Sequence, residues 1–251
     1  MEMLKIDERL DFIKTLELDS SLKGLSPAKL MSEPTENEPA GYVDAGSLTS
    51  FVAGVSAQHK SDALNSTLLA QLAANKKFDR EVNPVDWYTF YKTVLENVGW
   101  VVQNWEFTKY NAGGTSFTVD AVIAELLAAI ATSDDKAIVD EAIKAVKALD
   151  KGDGRLVLWE QNSSHLSKGN FQISACSESD GVLLMKIGAF YFTTDETVTN
   201  VLWFTFSSSQ TELYKGGQTI NLNEDVYSRV RQTVIDKLGD KAQDFVGDLD
   251  I

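Results

Sequence analysis

Residues able to carry chemistry are scarce in this chain. It has two histidines, His59 and His165, and one cysteine, Cys176. Neither histidine has a metal-ligand partner at a spacing that favours coordination. His165 lies in Ser163-Ser164-His165, formally a nucleophile beside a base. Adjacent residues rarely face one another productively, so an exposed loop histidine is the simpler reading. Cys176 ends the strand-like run Phe171-Gln172-Ile173-Ser174-Ala175. A free cysteine there reads as a small core residue, whereas an acylation or redox site would need exposure or a cationic neighbour.

The glycine-containing segments are equally weak as sites. Asp150-Lys151-Gly152-Asp153-Gly154 has a calcium-loop flavour but lacks the bidentate glutamate. It reads as a turn. Asn111-Ala112-Gly113-Gly114-Thr115-Ser116 could cradle an anion ahead of a helix, but it lacks the lysine and hydroxyl of a P-loop. Tyr214-Lys215-Gly216-Gly217 reads as a turn in the same way. No catalytic residue, cofactor or metal site is expected from these patterns. An enzyme built on dispersed aspartate, glutamate and serine stays open as a third reading, which requires a polar cleft around perturbed carboxylates.

The elements that would position such residues are clearer. Residues 1–46 form an acidic arm with three of the four prolines, Pro27, Pro34 and Pro39. A short helix is expected over Asp7–Leu18, and an extended linker that proteolysis could remove over 26–46. Residues 47–251 form one α/β domain. A strand over 47–57 precedes helices over 61–78 and 84–98, the second opened by Asn83-Pro84 and ended by Gly99. A strand over 100–110 leads to helices over 119–132 and 134–149. Five strands are then expected, over 155–160, 170–177, 182–193, 198–208 and 210–222, with Ser179-Asp180-Gly181 as a hairpin turn. A last helix over 224–238 starts behind Asn223. The predicted fold is a three-layer α/β/α single domain, its mostly antiparallel sheet flanked by two helix hairpins.

Composition narrows function further. The 251 residues carry 37 acidic and 23 basic side chains, a net charge of −14. That field disfavours nucleic acid and electrostatic adsorption to anionic lipid. The first residues lack a signal-peptide apolar core, and no stretch has the ~20 apolar residues that span a bilayer, so a cytoplasmic protein is expected as made. Release and extracellular action stay open. What remains is apolar crowding. Val122, Ile123, Leu126, Leu127 and Ile130 stripe one helix. Phe190 and Phe192, and Val201, Trp203, Phe204 and Phe206, lie on two long apolar runs. Such strands are ordinarily covered on both faces. They are also long enough to enter a bilayer if paired between chains.

In the order of these elements the chain resembles the Cyt-type cytolytic toxins and their volvatoxin-like relatives. The carriers are the two helix pairs, Leu156-Val157-Leu158-Trp159 and the strands that follow, over roughly 47–238. The resemblance implies a protein that binds lipid membranes and permeabilises them by self-association once its helices move. The residues it marks for membrane contact are the eleven apolar ones just named. The alternative is a non-enzymatic protein that holds an acyl chain or small apolar ligand between a hairpin and the sheet.

Overall fold

The computed structural model describes residues 5–20 and 33–251. Residues 1–4 of the expected arm, and its part within 21–32 that includes Pro27, lie outside the described residues.

A sheet organises the molecule. Its strand order is β11-β1-β2-β7-β8-β10-β3, where β1 is Ala40–Asp44, β2 Ser47–Phe51, β3 Trp100–Val101, β7 Lys168–Ser179, β8 Val182–Thr194, β10 Thr211–Leu222 and β11 Val246–Leu249. Every pairing along this path is antiparallel except β2 with β7. The β7–β8 hairpin turns on Asp180 and Gly181, both with positive φ (52° and 73°). That is the geometry a two-residue hairpin demands of its central residues.

Two helix hairpins cover opposite faces. Helices α2 (Ala57–Lys77) and α3 (Pro84–Val98) pack together on one face, with α1 (Ile6–Thr15) and α7 (Glu224–Leu238) outside them. Helices α4 (Val119–Ile130) and α5 (Ser133–Ala148) lie on the other, α4 across β8 and β10, α5 across β1, β2, β7 and β11. Period-two alternation proves the sidedness. On β7, Asn170 and Gln172 meet Arg80 and Tyr88 of the α2–α3 side. The intervening Phe171 stacks on Phe190 of β8, whose neighbour on the same face, Gly188, abuts Leu126 of α4. The fold is thus the mixed three-layer domain that the order of elements implied.

Helix termini follow local chemistry. Gly99 closes α3 at φ 116°, the left-handed region where glycine costs least. Thr132 and Asp135 form a reciprocal capping box at α5, and the Asn223 side chain caps α7.

Tyr214-Lys215-Gly216-Gly217 is not a turn but the middle of β10, in continuous register with β8. Four larger expectations also differ from the structure. Residues 155–160 are not a strand but part of α6 (Gly154–Ser163), capped by Asp153, which accepts from the Arg155 amide. An apolar run such as Leu156-Val157-Leu158-Trp159 suits a strand or a buried helix equally. Here Leu156, Leu158 and Trp159 are buried, with Trp159 edge-on to Phe171. Residues 198–208 contribute only β9 (Thr205–Ser207), paired with β5 (Ser116–Thr118) in a separate two-stranded sheet. Ahead of β9, Asn200 accepts from the Leu202 amide and donates to Glu160, so a side chain satisfies one backbone group there. Residues 100–110 are not one strand but β3 and β4 (Thr108–Lys109), two bridges on the edge of β10. Between them the Gln218 side chain bonds the backbone of Gln103.

The fourth difference concerns the arm. Ala40–Asp44 pairs with both β2 and β11, so the boundary at residue 47 cuts a hairpin inside the sheet. Residues 35–38 are pinned as well. The fully buried Lys60 donates to the carbonyls of Thr35 (2.6 Å) and Glu38 (2.5 Å). Burial pushes the Lys60 ammonium down, while Glu36 and Glu38 oppose that shift.

Candidate membrane-contacting site

The residues marked by sequence for lipid contact come from two stretches some 70 positions apart, and the fold joins them. Strand β5 leads directly into α4, and it pairs Phe117 with Phe206 of β9. Phe206 stacks on Phe117 (5.4 Å between centroids) and meets Phe192 (5.0 Å) and Phe204 (4.9 Å) edge-on. One aromatic cluster therefore ties the N-terminal end of α4 to the loop after β8.

Within this region the residues divide by exposure. Val122, Ile123, Leu127, Phe190, Phe192, Val201 and Phe206 are buried. Leu126, Ile130 and Phe204 are half-buried. Trp203 stands 43% exposed. In the folded state most of the set is core, as apolar residues of this kind should be.

Helix α4 sits on glycine. Gly188 of β8 and Gly217 of β10 are directly opposite one another in the ladder. Together they leave a shallow seat filled by Leu126 and Ile130. A Cβ at Gly188 would lie 2.7 Å from Leu126 Cδ2, and one at Gly217 would lie 3.0 Å and 3.1 Å from the Leu126 and Ile130 Cδ1 atoms. The outer face of α4 is Ala121, Ala124, Glu125, Ala128 and Ala129, all exposed. Apart from its two acids the helix is apolar all round, a pattern typical of buried or membrane helices. Asp120 pairs with Lys147 of α5 and Glu125 with Lys215 of β10. Both pairs are partly exposed and hold little energy.

The other helices are tied differently. Lys186 of β8 reaches the buried Asp135 at the start of α5 (3.2 Å) and donates to Ser177 (2.7 Å). On the opposite face, Gln71 of α2 bonds the backbone of Gly46 and Asp44, and Thr67 donates to Asp44 (2.6 Å). The Tyr88 hydroxyl of α3 lies between β7 and β8, donating toward the Phe171 and Phe190 carbonyls and accepting from Gln172. Buried polar bonds of this sort are costly to break. Helix α4 has none of them among the described residues.

The remaining candidates fall apart from one another. Cys176 is fully buried on the α2–α3 face, and burial pushes its thiol well above the usual range. Lys186 acts against that shift without overcoming it. His165 is largely exposed, and its Nδ1 lies 3.9 Å from Glu81, beyond hydrogen-bond reach. Burial raises the Glu81 carboxyl, and the two residues line a cleft of about 270 Å³ with Asp79 and Arg80. Burial pushes the Asp44 carboxyl up to about 8, and the side chain is closed off from solvent. An apolar pocket of about 400 Å³ lies between α1, α2 and α3, lined by Phe12, Leu16, Ala73, Lys77 and Phe90. It is not the hairpin–sheet cavity expected of a ligand carrier. His59, dismissed from its spacing, is brought against Asp62, Glu178 and Glu224. The one signal in the sequence was His59 and Asp62 three apart on a helix, which shares a face.

These features define a single-domain α/β/α protein with one helix held to the sheet chiefly by apolar contact. No helix among the described residues is long and apolar enough to cross a membrane. No family model and no curated protein matches the chain. Among solved structures it is similar to one described as "Structure of the Evf virulence factor", with 10% identity over 96% of this chain and 89% of that one, and a TM-score of 0.39. A likeness at that level carries nothing about activity.

Proposed function

We propose that this protein associates with lipid membranes through α4 and the adjoining 201–206 segment, and that membrane permeabilisation follows when α4 leaves the sheet. The observation that carries the reading is the unequal attachment of the two hairpins. Helices α2, α3 and α5 are held by buried polar bonds. Helix α4 rests on a glycine seat and presents alanines to solvent. In this mechanism one helix moves, not both hairpins. Lipid replaces its sheet contacts at little cost, because apolar surface gains nothing from choosing between protein and hydrocarbon interior.

The face that α4 and α5 cover on β7 is Phe171, Ile173 and Ala175, whereas its opposite face is Asn170, Gln172 and Ser174. Such alternation suits a strand with one lipid side and one polar side. Strands β7, β8 and β10 have 12, 13 and 12 residues, sufficient for a tilted crossing of ~9–11 residues. Self-association would use the edge of β10 away from β8, which among the described residues has no ladder partner over residues 216–220. Strand pairing between chains would satisfy the backbone groups that hydrocarbon cannot.

The test is dye release and flotation with phosphatidylcholine vesicles at micromolar protein, before and after limited proteolysis. Neutral lipid avoids the repulsion that a net charge of −14 imposes on anionic surfaces. Ala124→Glu and Ala128→Glu, on the outer face of α4, should leave the fold intact and abolish both signals. Absence of release and of flotation in wild type under both conditions rejects the proposal.

A further inference from the structure

We infer that His59, Asp62 and Glu224 form a binding site for a divalent transition-metal ion, independent of any membrane role. The site lies where the first turns of α2 and α7 meet the outer end of β7. His59 and Asp62 share one face of α2, and Glu224 is the first residue of α7. One donor atom from each falls within 4.8 Å of the others.

The hydrogen-bond geometry leaves room for an occupant. His59 Nδ1 lies 2.7 Å from Glu178 Oε2, and that same oxygen accepts from the Ser56 amide and hydroxyl at 3.0 Å each. A carboxylate only accepts, so Nδ1 carries the proton. In the neutral ring the Nε2 lone pair is then free. It lies 3.7 Å from Glu224 Oε2, which is itself buried without a hydrogen-bond partner. His59 is only 9% exposed. Two acceptors thus face one another across a gap too wide for a hydrogen bond. With metal–ligand bonds of about 2.1 Å, a 3.7 Å separation subtends an angle of about 120°, close to that at a tetrahedral ion.

The charge balance and the hydrogen bonds around the three ligands agree. Asp62, Glu178 and Glu224 oppose one guanidinium, Arg231, which holds Asp62 through two bonds (2.8 and 2.9 Å) and Glu224 Oε1 at 2.6 Å. The net is two negative charges, which a divalent ion balances. Arg231 leaves Glu224 Oε2 free and fixes its direction, and the second lone pair of Asp62 Oδ2 remains available. The His59–Glu178 bond is the carboxylate–histidine arrangement that orients a ligating imidazole. One imidazole with two carboxylates suits Zn²⁺, and a fourth position would be left to water.

The test uses the full chain after chelator treatment and dialysis. Titration with Zn²⁺ by calorimetry should give one equivalent bound and a rise in Tm. Long-range ¹H–¹⁵N spectra should show the His59 Nε2 resonance shifting on addition of Zn²⁺ while the exposed His165 does not. Glu224→Gln and His59→Ala should each weaken binding at least tenfold, and Glu178→Gln by 10- to 100-fold. No binding at 100 µM Zn²⁺, or binding unaltered in both Glu224→Gln and His59→Ala, overturns the site. So does a His59 Nε2 that is protonated and unmoved by Zn²⁺, which would make the occupant a proton. The wild-type spectra keep the result readable if a variant fails to fold.

Discussion

Replacing Gly188 with valine is the sharpest perturbation of the α4 seat. The new Cβ would lie 2.7 Å from Leu126 Cδ2 and 3.0 Å from Phe190 Cε2. Carbon atoms rest at about 3.5–4.0 Å, so Leu126 must retreat by roughly 1 Å. Overpacking of this kind costs about 1–3 kcal/mol. Lifting α4 relieves it, since Leu126 belongs to that helix and Phe190 can then relax. A strain of about 2 kcal/mol raises the lifted population about 30-fold. Hydrogen exchange of α4 amides should accelerate by that factor, while α5, held by Asp135 and Lys186, keeps its protection. Dye release from phosphatidylcholine vesicles should accelerate in parallel. Adding Leu126→Ala should remove the clash and return a large coupling between the two sites. If Tm falls with α4 exchange unchanged, the seat does not govern α4. If α4 exchange accelerates and release does not, α4 departure is not the membrane step.

Asp44 makes stability depend on pH. Burial raises its folded pKa to about 8 from an ordinary 3.8, so the folded chain keeps a proton that the unfolded chain loses. Its contribution is full below about pH 4 and declines between about pH 4 and 8, at a limiting slope of about 1.4 kcal/mol per pH unit. Asp44→Asn should therefore gain Tm over wild type as pH rises from 5 to 8, and a pH-independent difference would contradict the burial argument. Cys176 should resist thiol reagents in the native protein and react only at the rate of global unfolding. Prompt stoichiometric labelling of folded protein would show that the thiol is reached from solvent.

Local chemistry made the helices legible. Asn83-Pro84 and Gly99 bound α3, Asn223 starts α7, and the apolar residues of α4 repeat at helical spacing, all within single turns of chain. The β7–β8 hairpin was equally readable, because Asp180-Gly181 tolerates the positive φ its turn requires. Those features sufficed for the layered architecture, since two one-sided helix pairs can only be satisfied by a surface between them. They also marked the apolar residues of α4 and the 201–206 segment.

Only tertiary structure decided the rest. An apolar run does not state its own period, so Leu156–Trp159 became helical where Asp153 could cap it and Phe171 could receive Trp159. Val201 and Leu202 are buried without a ladder, and the Asn200 side chain accepts from the Leu202 amide in place of one bond that a neighbouring strand would have made. The β1 strand was hidden in a proline- and glutamate-rich arm, for its partners lie on either side of it in space and β11 is some 200 residues away. The seat of α4 depends on Gly188 and Gly217 falling in register, and the His59 cluster gathers residues 59, 62, 178 and 224. Spacing along the chain fixes which residues share a turn or a face of one element. Which faces meet is set by strand register and helix packing, where contact energies between distant segments decide.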